Sequence, residues 1–170
     1  MNYEPFYRIS YGLYIIASAL QEKKNGYIAN TVFQVTADPP QLAVSCNKNN
    51  LTSIIISQSG AFSVSILHKD VDPKLFGTFG FRTGKDIDKF AGVAYEMGST
   101  GAPIVTESTV AWLECRVTHT VDLGSHILFV GKVEAHALLD ADSEPLTYEH
   151  YRKVKKGKAP KNAPTYVPQG

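Results

Sequence analysis

Three stretches and one histidine carry the residue types that could do chemistry. Asn30, Thr31 and Gln34 interrupt an apolar, strand-like run, Tyr27 to Thr36. Their amides and hydroxyl could hydrogen-bond a flat heteroaromatic ring, although an ordinary exposed strand face carries such residues too. The segment Ser45-Cys46-Asn47-Lys48-Asn49-Asn50-Leu51-Thr52-Ser53 passes from a strand end into a helix start. A helix start offers unpaired N–H groups and partial positive charge. Thr52 and Ser53 add hydroxyls and Lys48 adds a cation, which together suit a phosphate. Simple capping by Asn50 or Thr52 accounts for the same residues. Gly80 to Phe90 reads as a polar loop bearing Arg82, Lys85 and Lys89 between Phe81 and Phe90. It is either solvated or a lid that brings cations to an anionic ligand. His126 follows Gly124 in a turn, where a lone histidine serves structure as readily as chemistry.

The elements that must position these residues are mostly strands. The chain has 170 residues, 44% hydrophobic and 19% charged, which suits one globular domain. A formal charge of +1 gives no broad field for nucleic acid or an anionic membrane, but a local anion site needs none. Cys46 and Cys115 lie apart in apolar runs and read as buried thiols. No Cys/His/carboxylate spacing suggests a metal. No GxSxG, P-loop or GxGxxG opens a helix after a strand. The N-terminus lacks a signal pattern, and no apolar run approaches the roughly 20 residues of a membrane span. A cytoplasmic protein is the expectation.

Tyr11 to Leu20 and Tyr27 to Thr36 are expected to form a hairpin, with Asn25-Gly26 at its turn. Asp38-Pro39-Pro40 ends the ladder, and Leu42 to Cys46 is a short strand. Leu51 to Ser59 shifts to helical period, with Gly60 placed to stop it. Ala61 to His68 alternates as a half-buried strand. Asp72-Pro73 opens a helix reaching about Phe79. Val93 to Met97 is a short edge strand. Val110 to Val121 and Ile127 to Leu138 are long strands, the first with Ala111, Leu113, Cys115 and Val117 on one face. Glu144 to Tyr151 suits a short helix. Residues 1–152 thus form the domain, and residues 153–170, rich in Lys, Pro and Gly, an extended tail. The class is mainly β with short helices, and so many strands favour a barrel.

Taken in order, these pieces resemble the flavin reductase-like family: Tyr27-Ile28-Ala29-Asn30-Thr31, Asp38-Pro39-Pro40, Leu42 to Ser45, Leu51-Thr52, Gly60-Ala61-Phe62-Ser63-Val64, Asp88-Lys89-Phe90, Ala102-Pro103-Ile104, Leu113-Glu114-Cys115, and Gly124-Ser125-His126 leading into Phe129 to Val133. No single piece is specific; their order is. The family usually has Gly-Asp-His, a motif associated with nicotinamide binding, where this chain has Gly124-Ser125-His126. The tail from Gly157 to Tyr166 resembles the segment after the flavin domain in relatives that pass electrons to rubredoxin or a diiron flavoprotein.

The resemblance implies a homodimeric, six-stranded antiparallel split β-barrel holding FMN. It places Asn30, Thr31, Val32 and Phe33 along the isoalloxazine. Ser45, Cys46, Asn47, Lys48, Leu51 and Thr52 would surround the ribityl chain and phosphate, with Lys89 and Arg82 reaching in. His126 would seat the nicotinamide of NADH or NADPH. The implied activity passes electrons from NAD(P)H through flavin to an acceptor such as free flavin, rubredoxin or an iron protein. Two alternatives stay open: an FMN electron-transfer module that does not oxidise NAD(P)H, and a non-catalytic flavin- or haem-binding barrel.

Overall fold

A computed structural model describes residue 2 and residues 4–166. After a short 3-10 helix, Glu4–Arg8, come β1 (Tyr14–Leu20), β2 (Lys23–Ala29), β3 (Val32–Ala37), β4 (Pro40–Asn47), α1 (Leu51–Ser59), β5 (Ala61–Leu67) and α2 (Pro73–Phe81). The chain continues through β6 (Tyr95–Met97), β7 (Pro103–Val105), β8 (Thr109–Asp122), β9 (His126–Leu138) and α3 (Tyr148–Lys153). Seven strands form one antiparallel sheet in the order β2-β1-β5-β8-β9-β4-β3, and β6 pairs with β7 separately. The mainly β class with short helices holds, and the expected six-stranded split barrel is corrected in its strand count and closure. The sheet has seven strands, and no ladder among the described residues joins its edges, β2 and β3.

The first hairpin also differs from expectation. β1 pairs with β2 from Tyr14↔Ala29 to Leu20↔Lys23, so Asn25 and Gly26 lie inside the ladder. Gln21 takes the left-handed turn conformation instead, with φ of 54°. Packing explains the choice. Gly26 lies against Phe79, where a Cβ would meet the ring at 3.0 Å. The Asn25 amide donates to Thr52 Oγ1 at 3.0 Å. Nor is Tyr27 to Thr36 continuous, since β2 ends at Ala29 and β3 begins at Val32. Asn30 and Thr31 occupy the break.

Helix α1 matches expectation closely. Asn50 Oδ1 accepts from Thr52 N, and Gly60 closes the helix at φ 69° with its N–H on Ile56 O. α2 starts at Pro73 behind the Asp72 cap. β5 is buried on both faces rather than half-buried, because it lies between β1 and β8 and is covered on each side.

Strand alternation divides the core. Ile15 and Ala17 face a cluster with Leu67, Leu75, Phe76, Phe79 and Leu146, while Ile16 faces Val44, Ile56, Phe62, Val64 and Phe129. Both faces of β1 are thus dry. The expected alternation along β8 is broken by register shifts at Glu114/Cys115 and Val117/His119. An extra residue in a ladder inverts the facing pattern, so Glu114 and Cys115 are both buried in succession. The buried Glu114 carboxylate accepts from the N–H and hydroxyl groups of Ser99 and Thr100. Burial alone would push its pKa up, but these four bonds together hold it below the usual carboxylate value. The loop before β7 is thereby tied to the sheet. Among the described residues, no helix is long and apolar enough to cross a membrane.

Candidate active site

A cleft of about 390 Å³ opens where four segments meet, a size suited to a small-molecule ligand. The end of β2 and the break after it supply Asn25 and residues 27–30; the start of α1 supplies residues 49–51. The end of α2 and its following loop supply residues 79–85, with Lys89 beyond, and residues 160–164 form the remaining wall. The lining contains Arg82, Lys85, Lys89 and Lys161 but no carboxylate.

Lys89 is the most telling of these. It is only 4% exposed, and its ammonium donates to Gly26 O at 2.9 Å and Phe79 O at 3.3 Å. It forms no ion pair among the described residues. Desolvation pushes its pKa down to about 8. Buried charges normally have a partner, and this one lies on a cleft wall. Asn25 shows a second unmet need, because its Oδ1 is buried and accepts no hydrogen bond among the described residues. Tyr27, Phe79 and Phe81 add aromatic surface.

The structure brings some of the expected residues together. Asn30, Leu51, Arg82 and Lys89 line the cleft. Thr52 lies directly behind it, holding Asn25. Thr31 braces Asn30, its hydroxyl donating to Asn30 Oδ1 at 3.1 Å, while its carbonyl accepts from Ser45 N at 3.2 Å.

Other expected residues lie outside the lining. Val32 packs against the core, and Phe33 is 52% exposed on the edge strand. Ser45 offers its carbonyl to the Tyr27 hydroxyl at 3.4 Å. Cys46 points into the core, with the Tyr27 hydroxyl 2.7 Å from Sγ, and burial pushes its thiol up to about 12. Asn47 Oδ1 accepts from Asn49 N. Lys48 pairs with Asp122 at 2.7 Å. His126 has Ser125 Oγ at 2.8 Å from Nδ1, and Nε2 faces Asn162 O at 3.4 Å.

Asn25, Tyr27, Phe79 and the wall at residues 160–164 were not foreseen as parts of the site. Asn25 carries the composition of a turn, and the tail that of a linker. Yet the Asn30 amide donates to Thr165 Oγ1 at 2.7 Å. The described tail thus lies back across the domain.

Comparison with known proteins gives this geometry its context. The model for the flavin reductase like domain matches residues 6–156. The chain belongs to that family. Its class is that of an oxidoreductase of the flavin reductase type. A ferric-chelate reductase (NAD(P)H) of Archaeoglobus fulgidus is 48% identical over 167 residues, covering 98% of both chains. The high molecular weight rubredoxin of Moorella thermoacetica is 44% identical, covering 98% of this chain and 72% of its own. Among solved structures, the NADH:FAD oxidoreductase SgcE6 of Streptomyces globisporus superposes with a TM-score of 0.76 at 23% identity, covering 84% of this chain and 83% of its own. That likeness shows a shared fold.

Proposed function

We propose that the chain is an FMN-dependent oxidoreductase that takes electrons from NADH or NADPH and passes them to an acceptor such as free flavin, rubredoxin or an iron compound. The observation that carries this reading is Lys89, a buried cation without a carboxylate, on the wall of an acid-free cleft. The residues fit a phosphorylated flavin. Lys89 and the start of α1 would hold the phosphate. The orphan Asn25 Oδ1 would accept from a ribityl hydroxyl. Asn30, braced by Thr31, and the backbone leading to Val32 and Phe33 would meet the ring. Ser45, Cys46 and Asn47 would contribute through backbone, since Cys46 is turned to the core. Lys48 would act from the rim through its pair with Asp122. The neighbouring Archaeoglobus protein, named for NAD(P)H and ferric chelates, supports the donor and acceptor classes.

When bound, the flavin supplies the capacity to accept a hydride and release single electrons. The chain's own residues provide position and electrostatics. Lys89 would neutralise the phosphate of a bound flavin. With the flavin in place, Tyr27, Phe79 and the tail wall would limit the water around it, which would strengthen charge interactions inside the cleft. Arg82 and Lys85 raise the local concentration of an anionic nucleotide. His126 would help seat the nicotinamide, and no proton transfer by it is required.

Mixing the flavin-loaded chain anaerobically with NADH or NADPH tests this reading. The visible flavin band should bleach on a catalytic timescale with at least one nucleotide. No bleaching with either would remove the NAD(P)H half. A specific observation favours that second outcome, an electron-transfer module without nucleotide oxidation. Ser125 stands where the family usually has an acid, and His126 faces the tail carbonyl. Exposed Phe33 and Val35 on the β3 edge support a homodimer. Two unpaired cysteines suit a cytoplasmic setting.

A further inference from the structure

Six of the chain's 17 cationic side chains fall within residues 152–161, and no carboxylate follows Glu149. Arg152 stacks on the Tyr7 ring at 3.7 Å, and Lys153 pairs with Glu149. Lys155, Lys156, Lys158 and Lys161 form no ion pair among the described residues. A run of like charges is ordinarily a solvated tail. This one is held in place. Gly157 N donates to Tyr151 O at 3.0 Å, and Asn30 holds Thr165 at 2.7 Å. Asn162 O faces His126 between these anchors. Lys161 lines the cleft together with exposed Arg82 and Lys85, and Lys158 lines an adjoining pocket that shares Asn30, Phe81 and Pro160 with it; exposed Lys155 and Lys156 directly precede this anchored stretch. Asp86 and Asp88 belong to the same loop as Arg82, but neither lines the cleft. The family match ends at residue 156, whereas the Archaeoglobus and Moorella relatives align over 167 residues, so they share the anchored part of this rim.

We propose that the basic rim is a docking surface for an acidic electron-transfer protein that collects electrons at the cleft. The inference rests on the redox reading above and names its acceptor class. A small anion inside the cleft would reach Lys161 but not Lys155, Lys156 or Lys158, which lie outside the lining. A partner with an extended acidic face would engage all four. Complementary fields of this kind speed encounter by roughly 10- to 1,000-fold and weaken with salt. The overall balance is one NAD(P)H and two ferric centres giving NAD(P)⁺, two ferrous centres and one proton.

The test compares the full chain with a Lys155→Glu/Lys156→Glu/Lys158→Glu variant, none of whose altered residues lines the cleft. An acidic rubredoxin is the protein probe and a neutral quinone the small acceptor. The variant should reduce rubredoxin at least tenfold more slowly at low salt, with a flattened salt dependence, and reduce the quinone at an unchanged rate. The flavin-free chain should show the matching rise of at least tenfold in its Kd for rubredoxin. Unchanged rubredoxin kinetics and Kd would overturn the inference while leaving the redox reading intact. So would equal losses with both acceptors, or charge-dependent binding to phosphatidylglycerol vesicles with none to rubredoxin. Failure of the flavin-loaded chain to reduce any acceptor would overturn the redox reading, and this inference with it.

Discussion

Asn30 and Thr165 are hydrogen-bonded side chain to side chain at 2.7 Å, although 135 positions separate them. The bond fastens the tail to the break between β2 and β3, where the ring-binding residues were expected. Thr165→Val should free the Asn30 amide and loosen the tail. A part-buried hydrogen bond contributes about 0.5–1.5 kcal/mol. Amide hydrogen exchange should therefore quicken by roughly 2- to 10-fold across residues 157–166. The urea midpoint of the whole domain should barely move. Unchanged exchange would show that the wall is held by packing instead.

Lys89 gives a pH-dependent prediction. Its pKa is lowered to about 8 by burial, and a bound phosphate would raise it again. FMN affinity should hold below pH 8 and fall as Lys89 deprotonates above it, while riboflavin affinity stays flat. Lys89→Met should weaken FMN about 10- to 100-fold, or about 1.5–3 kcal/mol, with little effect on riboflavin. The same shift has a stability consequence for the flavin-free chain. Because the unfolded lysine binds its proton more tightly, stability attributable to this site should rise from pH 8 towards 10.5. Lys89→Met should remove that rise, measured by denaturant titration across the interval.

Glu114 should act as a structural carboxylate. It is 1% exposed and bound by Ser99 and Thr100. Glu114→Gln should destabilise by about 1.5–3 kcal/mol at neutral pH. The native pKa lies below the unfolded one, so this contribution is present above about pH 4.5 and is lost as pH falls through the native value. The difference between wild type and variant should shrink in acid. Gly98→Ala should resemble it, because the added Cβ would collide with Glu114 Oε2.

Both thiols should be inert in the native chain. Cys46 and Cys115 are fully buried, and burial pushes each up to about 12. An alkylating reagent at pH 8 should label neither cysteine until denaturant is added. Rapid labelling of Cys46 in the native chain would contradict its place beneath Tyr27.

The parts legible from the sequence were those governed by local chemistry. Asn50, Gly60, Asp72 and Pro73 mark helix ends through their own caps, and the structure uses all four. Lys89 was recognisable as one of the cations of the loop after α2, though its burial was not. The misplaced turn is instructive. Asn25-Gly26 has turn chemistry, but Thr52 and Phe79, both remote in sequence, hold it in a strand. Local propensity yields to tertiary packing there. The bulges in β8 were hidden for a related reason: the residue types alternate evenly through Glu114-Cys115, and Glu114 is buried only because Ser99 and Thr100 satisfy its carboxylate. The tail looked unstructured because its anchors are scattered single contacts, with Asn30, His126 and Tyr151 and through Ala159 against the core, rather than an apolar stripe.

The cleft is assembled in two instalments. Every lining residue precedes position 90 except those at 160–164, and the long β8–β9 hairpin intervenes. The early part rests on the sheet and its helices, whereas the late wall is fastened by a few polar bonds. Contacts so distant along the chain form slowly, because a long loop must close first. During synthesis the domain would therefore pass through a stage with an intact sheet and an open trough. In the mature molecule, opening of that wall should cost less than unfolding the core, so ligand exchange and global denaturation should be separate events with separate rates.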